Sequence, residues 1–164
     1  MALWQKWRFP NELRDQMVAA GFGRREKVLA WASTRDGAVC ALGGSLVMIE
    51  DGVVRAWAWH EILRVRWSDD GCRLRWVTVA EPNVDVVAEF DAPGRLPEVI
   101  QERVDQSIVL RHKVTLRPGV VATVVARRGE RGDVEWSVYG PRIDALGLRA
   151  EAERELENIK KAWG

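Results

Sequence analysis

Between residues 26 and 90, short β-strand patterns alternate with turn dipeptides, and this regularity constrains the fold more than any other feature of the sequence. Each segment is rich in valine, isoleucine, leucine or tryptophan, and the Asp-Gly pairs at 36–37, 51–52 and 70–71 favour tight turns between segments. The pattern predicts a run of consecutive strands. We place them at residues 26–33, 37–42, 45–50, 53–59, 63–68, 72–79 and 84–90.

Helical patterns precede and follow these strands. A short helix is predicted over residues 11–20, and a second begins near Pro93 and Pro97, where apolar residues then recur at helical spacing. The second helix needs a sheet surface to cover, which a barrel left open at one end provides. The rest of the chain is predicted as three strands, at 109–117, 120–127 and 133–139, and a terminal helix at 151–163.

Four arginines form the most distinctive charged pattern. Arg64 and Arg66 alternate with apolar residues in one predicted strand, and Arg73 and Arg75 do so in the next. If residues 69–71 close a hairpin, Arg66 lies opposite Arg73, Arg64 lies opposite Arg75, and all four side chains share the outer face. We call this set the arginine face.

Two interpretations of the arginine face remain open. Like charges opposite one another are unfavourable, but Glu89 is expected beside Arg73, and Asp85 also lies nearby, so the face is compatible with solvated, partly neutralised surface. Alternatively, it binds an anionic partner, namely an acidic protein surface, a phosphate-bearing lipid or a nucleic acid. Nucleic acid is the least favoured, because the pleat sends Trp67 and Trp76 to the side opposite the arginines.

The tryptophans offer a second candidate surface. The chain has nine of them, and most fall in predicted strands, where large rings fill a core. Trp57 and Trp59 share one side of the strand at 53–59, and Ala56 and Ala58 occupy the other. If the alanines face the core, the two rings are exposed and form a protein-binding hot spot.

The composition excludes several classes of protein. Apolar residues make up 47% and charged residues 30%, which is typical of a globular domain, and the net charge of +1 demands no nucleic acid or membrane partner. No apolar run approaches the roughly 18 residues that span a bilayer. Residues 1–10 lack a signal-peptide pattern, although Trp4, Trp7 and Phe9 give them a strongly aromatic character. We therefore expect a cytoplasmic protein without a transmembrane segment, whose aromatic leader packs on the domain or contacts a partner.

The sequence carries no recognisable catalytic or cofactor site. His60 is expected at a strand end, and His112 alternates with apolar residues, which indicates a partly buried, hydrogen-bonded side chain. Cys40 and Cys72 are expected to be small buried apolar residues and have too few neighbouring ligands for a metal site. No nucleophile elbow, phosphate-binding loop or zinc-protease motif occurs. We predict that the protein is not an enzyme and uses neither a cofactor nor a metal.

Residues 56–67, Ala-Trp-Ala-Trp-His-Glu-Ile-Leu-Arg-Val-Arg-Trp, carry a family resemblance. They are similar to the run of tryptophan, isoleucine, valine and tryptophan in small bacterial pleckstrin-homology-like (PH-like) proteins. Residues 102–107 and the pairs at 127–128 and 135–136 resemble a group of uncharacterised actinobacterial proteins of this size. The resemblance implies a binding or scaffolding module. Some PH domains bind phosphoinositides near the first hairpin loop, but residues 33–37 hold a single arginine beside an aspartate.

We therefore predict a mainly β (α+β) fold. Residues 1–25 are predicted to form an aromatic leader with a short helix. Residues 26–108 are predicted to form a PH-like seven-stranded barrel or sandwich with a capping helix. Residues 109–164 are predicted to form a β-meander with a C-terminal helix packed on the same unit. The predicted function is a non-catalytic protein-interaction or scaffold module. The alternative is a module that binds anionic phosphate groups.

Arg127, Arg128 and Arg131 are expected to form a second basic cluster, on a loop.

Overall fold

The computed structural model describes residues 8–68 and 72–164. The chain divides into two compact units, Met1–Val104 (unit 1) and Asp105–Gly164 (unit 2). The predictions for Trp4, Trp7 and the turn at 69–71 lie outside the described residues. The prediction that residues 109–164 pack on the preceding part of the chain stays a prediction.

Unit 1 contains a short helix followed by a series of short strands and a longer helix, in the order expected from the sequence. The chain runs through α1 (Asn11–Ala19), β1 (Ala30–Thr34), β2 (Gly37–Ala41), β3 (Ser45–Glu50), β4 (Val53–Ala58), β5 (Ile62–Ser68), β6 (Arg73–Thr78), β7 (Val86–Glu89) and α2 (Leu96–Ser107), whose last turn crosses into unit 2. The mainly β class is confirmed, and the strand bounds agree with the prediction to within a few residues.

The strands of unit 1 form two open antiparallel sheets. Sheet 1 has the order β1-β2-β3-β4, and sheet 2 has the order β5-β6-β7. A closed barrel, one of the two predicted forms, is not present among the described residues. A 3-10 turn at Trp59–Glu61 ends β4 and redirects the chain, so that β5 pairs with β6 in a separate sheet and not with β4.

Sheet 1 is buried on both faces, which explains the almost continuous apolar sequence of β2 and β3. One face packs together with sheet 2 and α2 in a shared core. Its buried members include Val39, Leu46, Leu74, Trp76, Leu96 and Ile100. The opposite face packs against the leader, where Phe9 and Met17 contribute to a second core with Cys40, Val47 and Ile49. Leader packing is therefore confirmed for Phe9 and α1.

Unit 2 is one antiparallel sheet with a helix on it. Strands β8 (Ile108–Arg117), β9 (Val120–Arg128) and β10 (Val134–Tyr139) form sheet 3 in the order β10-β9-β8. Helix α3 (Arg149–Trp163) begins two residues before the predicted start, and the side chain of its first residue, Arg149, donates hydrogen bonds to the Val138 carbonyl and the Asp144 carboxylate. The core between sheet and helix includes Val120, Ala122, Val124, Val138, Ile143 and Ala152.

Candidate functional site

The β5–β6 ladder fixes the positions of the arginine face. Arg66 pairs with Arg75, Arg64 pairs with Val77, and Ser68 pairs with Arg73. The predicted pairs, Arg66 with Arg73 and Arg64 with Arg75, are wrong by two residues.

The reason for the register error lies at Cys72, which was assigned to the strand. Cys72 adopts the left-handed conformation, with φ of 44°, and belongs to the turn, so that β6 begins one residue later, at Arg73. A two-residue shift leaves the side-chain alternation unchanged. The four arginines accordingly occupy one face of sheet 2, and Leu74 and Trp76 point into the core.

Two of the four arginines have acidic partners on β7 or just before it. Glu89 pairs with Arg73 in the β6–β7 ladder, as predicted, and its carboxylate accepts hydrogen bonds from Nε at 2.8 Å and Nη2 at 2.5 Å. The Nη1 atom of Arg75 lies 3.9 Å from the Asp85 carboxylate. Part of the arginine face is therefore neutralised from within the same sheet.

Arg64 and Arg66 differ from the other pair. No acidic side chain in the described part of the chain forms an ion pair with either of them. Arg66 is exposed and Arg64 is half-buried, and both project from β5, which lies at one edge of sheet 2. The uncompensated positive charge of the face is thus concentrated on β5, next to the two neutralised arginines of β6.

An apolar side chain lies on the same surface. Val87 on β7 pairs directly with Arg75, and its side chain is 40% exposed. The row formed by Arg66, Arg75 and Val87 therefore presents two cations and one accessible apolar group. Glu89 and Asp85 add negative charge on either side of Val87. The face combines both signs of charge with exposed apolar area.

The structure places Trp57 against the core rather than fully in solvent. The ring is half-buried and packs edge-on against Trp76, with centroids 5.3 Å apart and an interplanar angle of 79°. The guanidinium carbon of Arg55 lies over the Trp57 ring, 5.4 Å from its centroid. This arginine covers one face of the ring.

Trp59 is buried in the same core and is only 6% exposed. Its indole Nε1 donates hydrogen bonds to the carbonyls of Leu42, at 3.2 Å, and Gly43, at 3.1 Å. It also lies in the 3-10 turn and not in a strand. Because Trp59 is buried and Trp57 packs on the core, the two rings do not form an exposed pair, and the condition for a two-ring hot spot is not met.

The histidines and cysteines do not converge on a site. His60 lies half-buried in the 3-10 turn. The prediction for His112 is wrong, because the residue lies on the edge strand β8 and is exposed. Cys40 is fully buried, and burial raises the pKa of its thiol to about 12. Among the described residues, no three or more side chains of the metal-binding types come together.

Sequence reasoning missed one buried cation. Arg127 was predicted to end the strand at 120–127 and to belong to a basic cluster on the loop, but it lies within β9 and is 1% exposed. Its Nη1 donates to the Ser107 hydroxyl at 3.0 Å, and burial lowers the pKa of its guanidinium to about 10. The available signal was the alternation of Thr123, Val125 and Arg127, which places all three on one side of the strand. Arg127 is therefore not part of an exposed basic cluster.

Within the described residues, no helix combines the length and the apolar character needed to cross a membrane. We also compared the chain with models of known protein families, with curated proteins and with solved structures. None of the three comparisons found a match.

Proposed function

We propose that this chain is a non-catalytic interaction module of the cytoplasm that binds an acidic surface of another protein through the arginine face. The observation that carries the proposal is the uneven neutralisation of that face. Arg73 and Arg75 have carboxylate partners, whereas Arg64 and Arg66 form no ion pair with any described acidic residue. An acidic partner supplies the missing counter-charges.

The fold supports a PH-like assignment as part of this proposal. Unit 1 has a four-stranded and a three-stranded antiparallel sheet that share a core, followed by α2, whose Leu96, Ile100 and Val104 are buried in the same core. This arrangement agrees with the resemblance carried by residues 56–67. A PH-like fold indicates binding more than catalysis, but function depends on the site and not on the fold.

The mixed character of the face favours a protein partner over a phosphate-rich one. A phosphate group placed across Arg66 and Arg75 comes close to the carboxylates of Asp85 and Glu89, which repel it. A protein surface, in contrast, can meet cations, anions and the exposed Val87 with complementary groups. Arginine is also enriched among residues that dominate protein interfaces.

The second candidate, binding of phosphate groups on lipids or nucleic acid, is supported by the adjacent charges of Arg64 and Arg66. Salt dependence and a direct probe separate the two. Phosphate binding by several arginines weakens steeply as salt rises. We therefore include vesicles of phosphatidylcholine with and without an anionic phospholipid as a probe alongside protein partners.

The test compares the wild-type chain with the double variant Arg64→Glu/Arg66→Glu as bait in nuclease-treated native lysate. The control is Arg24→Glu/Arg25→Glu, which makes the same charge change at two adjacent exposed arginines elsewhere in unit 1. We expect a protein that is retained by the wild type and the control but lost with the double variant, and that binds again as a purified component.

Recovery of the same proteins by all three baits contradicts the proposal. Binding to anionic vesicles that depends on Arg64 and Arg66, without a protein partner, favours the second candidate instead. Thermal unfolding of each bait, measured in parallel, separates loss of binding from loss of folding.

A further inference from the structure

Strand β8 gives unit 2 a long exposed edge. It runs for ten residues, from Ile108 to Arg117, and lies at one end of the order β10-β9-β8. A strand at the edge of a sheet presents backbone N–H and C=O groups that can pair with another chain. Natural edges are usually short, so a ten-residue edge strand calls for a physical explanation.

The central part of β8 has regular geometry. From Leu110 to Thr115, every residue pairs in sequence with β9, and the register shifts fall outside this run, between Ile108 and Leu110 and between Thr115 and Arg117. A regular run of this length extends for about 20 Å. It is long enough to hold one more short strand.

The charge of this run is positive. Arg111 and Lys113 pair with Val125 and Thr123 of β9, so their side chains lie on the same face of sheet 3. Both are exposed, and neither forms an ion pair with an acidic residue in the described part of the chain. Arg117, beyond the register shift, is already held by the Glu151 carboxylate at 2.7 and 2.6 Å. Strand β8 itself contains no acidic residue.

These charges select among possible occupants of the edge. A second copy of β8 brings its own arginine and lysine beside Arg111 and Lys113, and like charges on neighbouring strands are unfavourable. A segment with carboxylates on alternate residues places them beside the same two cations. The charges that prevent self-pairing therefore favour an acidic strand.

We propose that β8 binds an extended acidic segment of another protein as an additional strand of sheet 3. Main-chain hydrogen bonds to the run from Leu110 to Thr115 supply part of the affinity, and Arg111 and Lys113 select carboxylates at alternate positions. This site is on a different strand and in a different unit from the arginine face, and the proposal does not depend on that face.

The probe is the capped peptide Thr-Glu-Val-Glu-Thr-Glu, which alternates carboxylates with β-branched residues, labelled with a fluorophore. Binding to the full chain is measured by anisotropy, and amide hydrogen exchange reports on residues 110–115. We expect saturable binding and slower exchange of the amides in this run that point away from β9, since alternate residues already bond to β9. Arg111→Glu/Lys113→Glu should weaken binding about tenfold or more, because two cross-strand attractions become repulsions.

Two controls keep the proposal falsifiable. Arg24→Glu/Arg25→Glu makes the same charge change at two exposed arginines outside β8 and outside the arginine face, and it should leave peptide binding unchanged. The same peptide with N-methyl groups on alternate residues keeps its charges but loses main-chain donors, and it should not bind. Equal binding of the methylated peptide, or equal binding by the β8 variant, overturns the proposal.

Discussion

Arg66 lies directly opposite Arg75 in the β5–β6 ladder, so two cationic side chains are cross-strand neighbours on the outer surface of sheet 2. Such a pair is unfavourable for folding. Asp85 offsets part of the repulsion through its contact with Arg75 at 3.9 Å. The Arg66–Arg75 repulsion therefore lowers the stability of the fold at the surface where we propose that a partner binds.

The single variant Arg66→Glu tests this relationship. It replaces a repulsive cross-strand pair by an attractive one, and we expect the free energy of unfolding to rise by about 0.5–1 kcal/mol. The same variant should bind the proposed acidic partner more weakly. Urea unfolding measures stability, with Arg24→Glu as a control that should change it little. A fall in stability on Arg66→Glu contradicts the cross-strand account.

Removing the carboxylates of the arginine face should change its ligand preference. Asp85→Asn/Glu89→Gln leaves Arg73 and Arg75 without their partners, and we expect binding to vesicles of anionic phospholipid to strengthen by about tenfold or more. Co-sedimentation with the vesicles measures this. The control is Glu12→Gln/Asp15→Asn on α1, where both residues are exposed. If the two double variants bind equally, Asp85 and Glu89 do not determine the preference.

Two buried tryptophans of the same core provide a matched pair for measuring one hydrogen-bonded contact. The Trp59 indole donates to two carbonyls, whereas the Trp76 Nε1 has no hydrogen-bond partner within the described residues. Both rings lose the same volume on substitution by phenylalanine. We expect Trp59→Phe to lower the free energy of unfolding by about 1 kcal/mol more than Trp76→Phe, because it leaves the buried Leu42 carbonyl and the partly buried Gly43 carbonyl without this donor.

Chemical denaturation of both tryptophan variants gives this difference. The Leu42 and Gly43 carbonyls are the groups affected. Equal losses would show that packing alone fixes Trp59 in the core.

The Cys40 thiol predicts a pH dependence of stability. Burial raises its pKa from an ordinary 9.0 to about 12, so between these values the unfolded chain loses a proton that the folded chain keeps. The stabilising effect of the buried, protonated thiol is therefore complete below pH 9 and declines as the pH rises toward 12. The difference in free energy of unfolding between wild type and Cys40→Ala should decrease over this range. A constant difference argues against a raised pKa.

The sequence predicts elements better than it predicts their joins. Strand bounds follow from local alternation and turn chemistry, so β2, β3 and α2 lie where expected. The register of β5 and β6 depends on whether Cys72 belongs to the strand or the turn. Cysteine is not a residue type typical of turns, so the sequence does not predict the positive φ that places Cys72 in the turn. The separation of β4 from β5 depends on one 3-10 turn at Trp59–Glu61, which continues the aromatic strand pattern in sequence.

The candidate site shows the same limit. Alternation was sufficient to place Arg64 and Arg75 on one face, because a register error of two residues preserves the side of each side chain. The same local pattern could not assign Trp57 and Trp59 to the inside, since rings and alanines alternate and either side can face a core. Alternation places Arg127 on the same side of β9 as Thr123 and Val125, but whether that side is buried depends on tertiary contacts.

The leader has a protective role that follows from the two-sided burial of sheet 1. Residues 24–27 are exposed and contain two arginines and a lysine, so a trypsin-like protease can reach this segment. Cleavage there and loss of the preceding residues would remove Phe9 and Met17 from the sheet and uncover Cys40, Val47 and Ile49. A flat apolar sheet surface of this kind promotes self-association. Limited proteolysis at the leader would thus make the protein prone to aggregation while every strand of sheet 1 remains uncut.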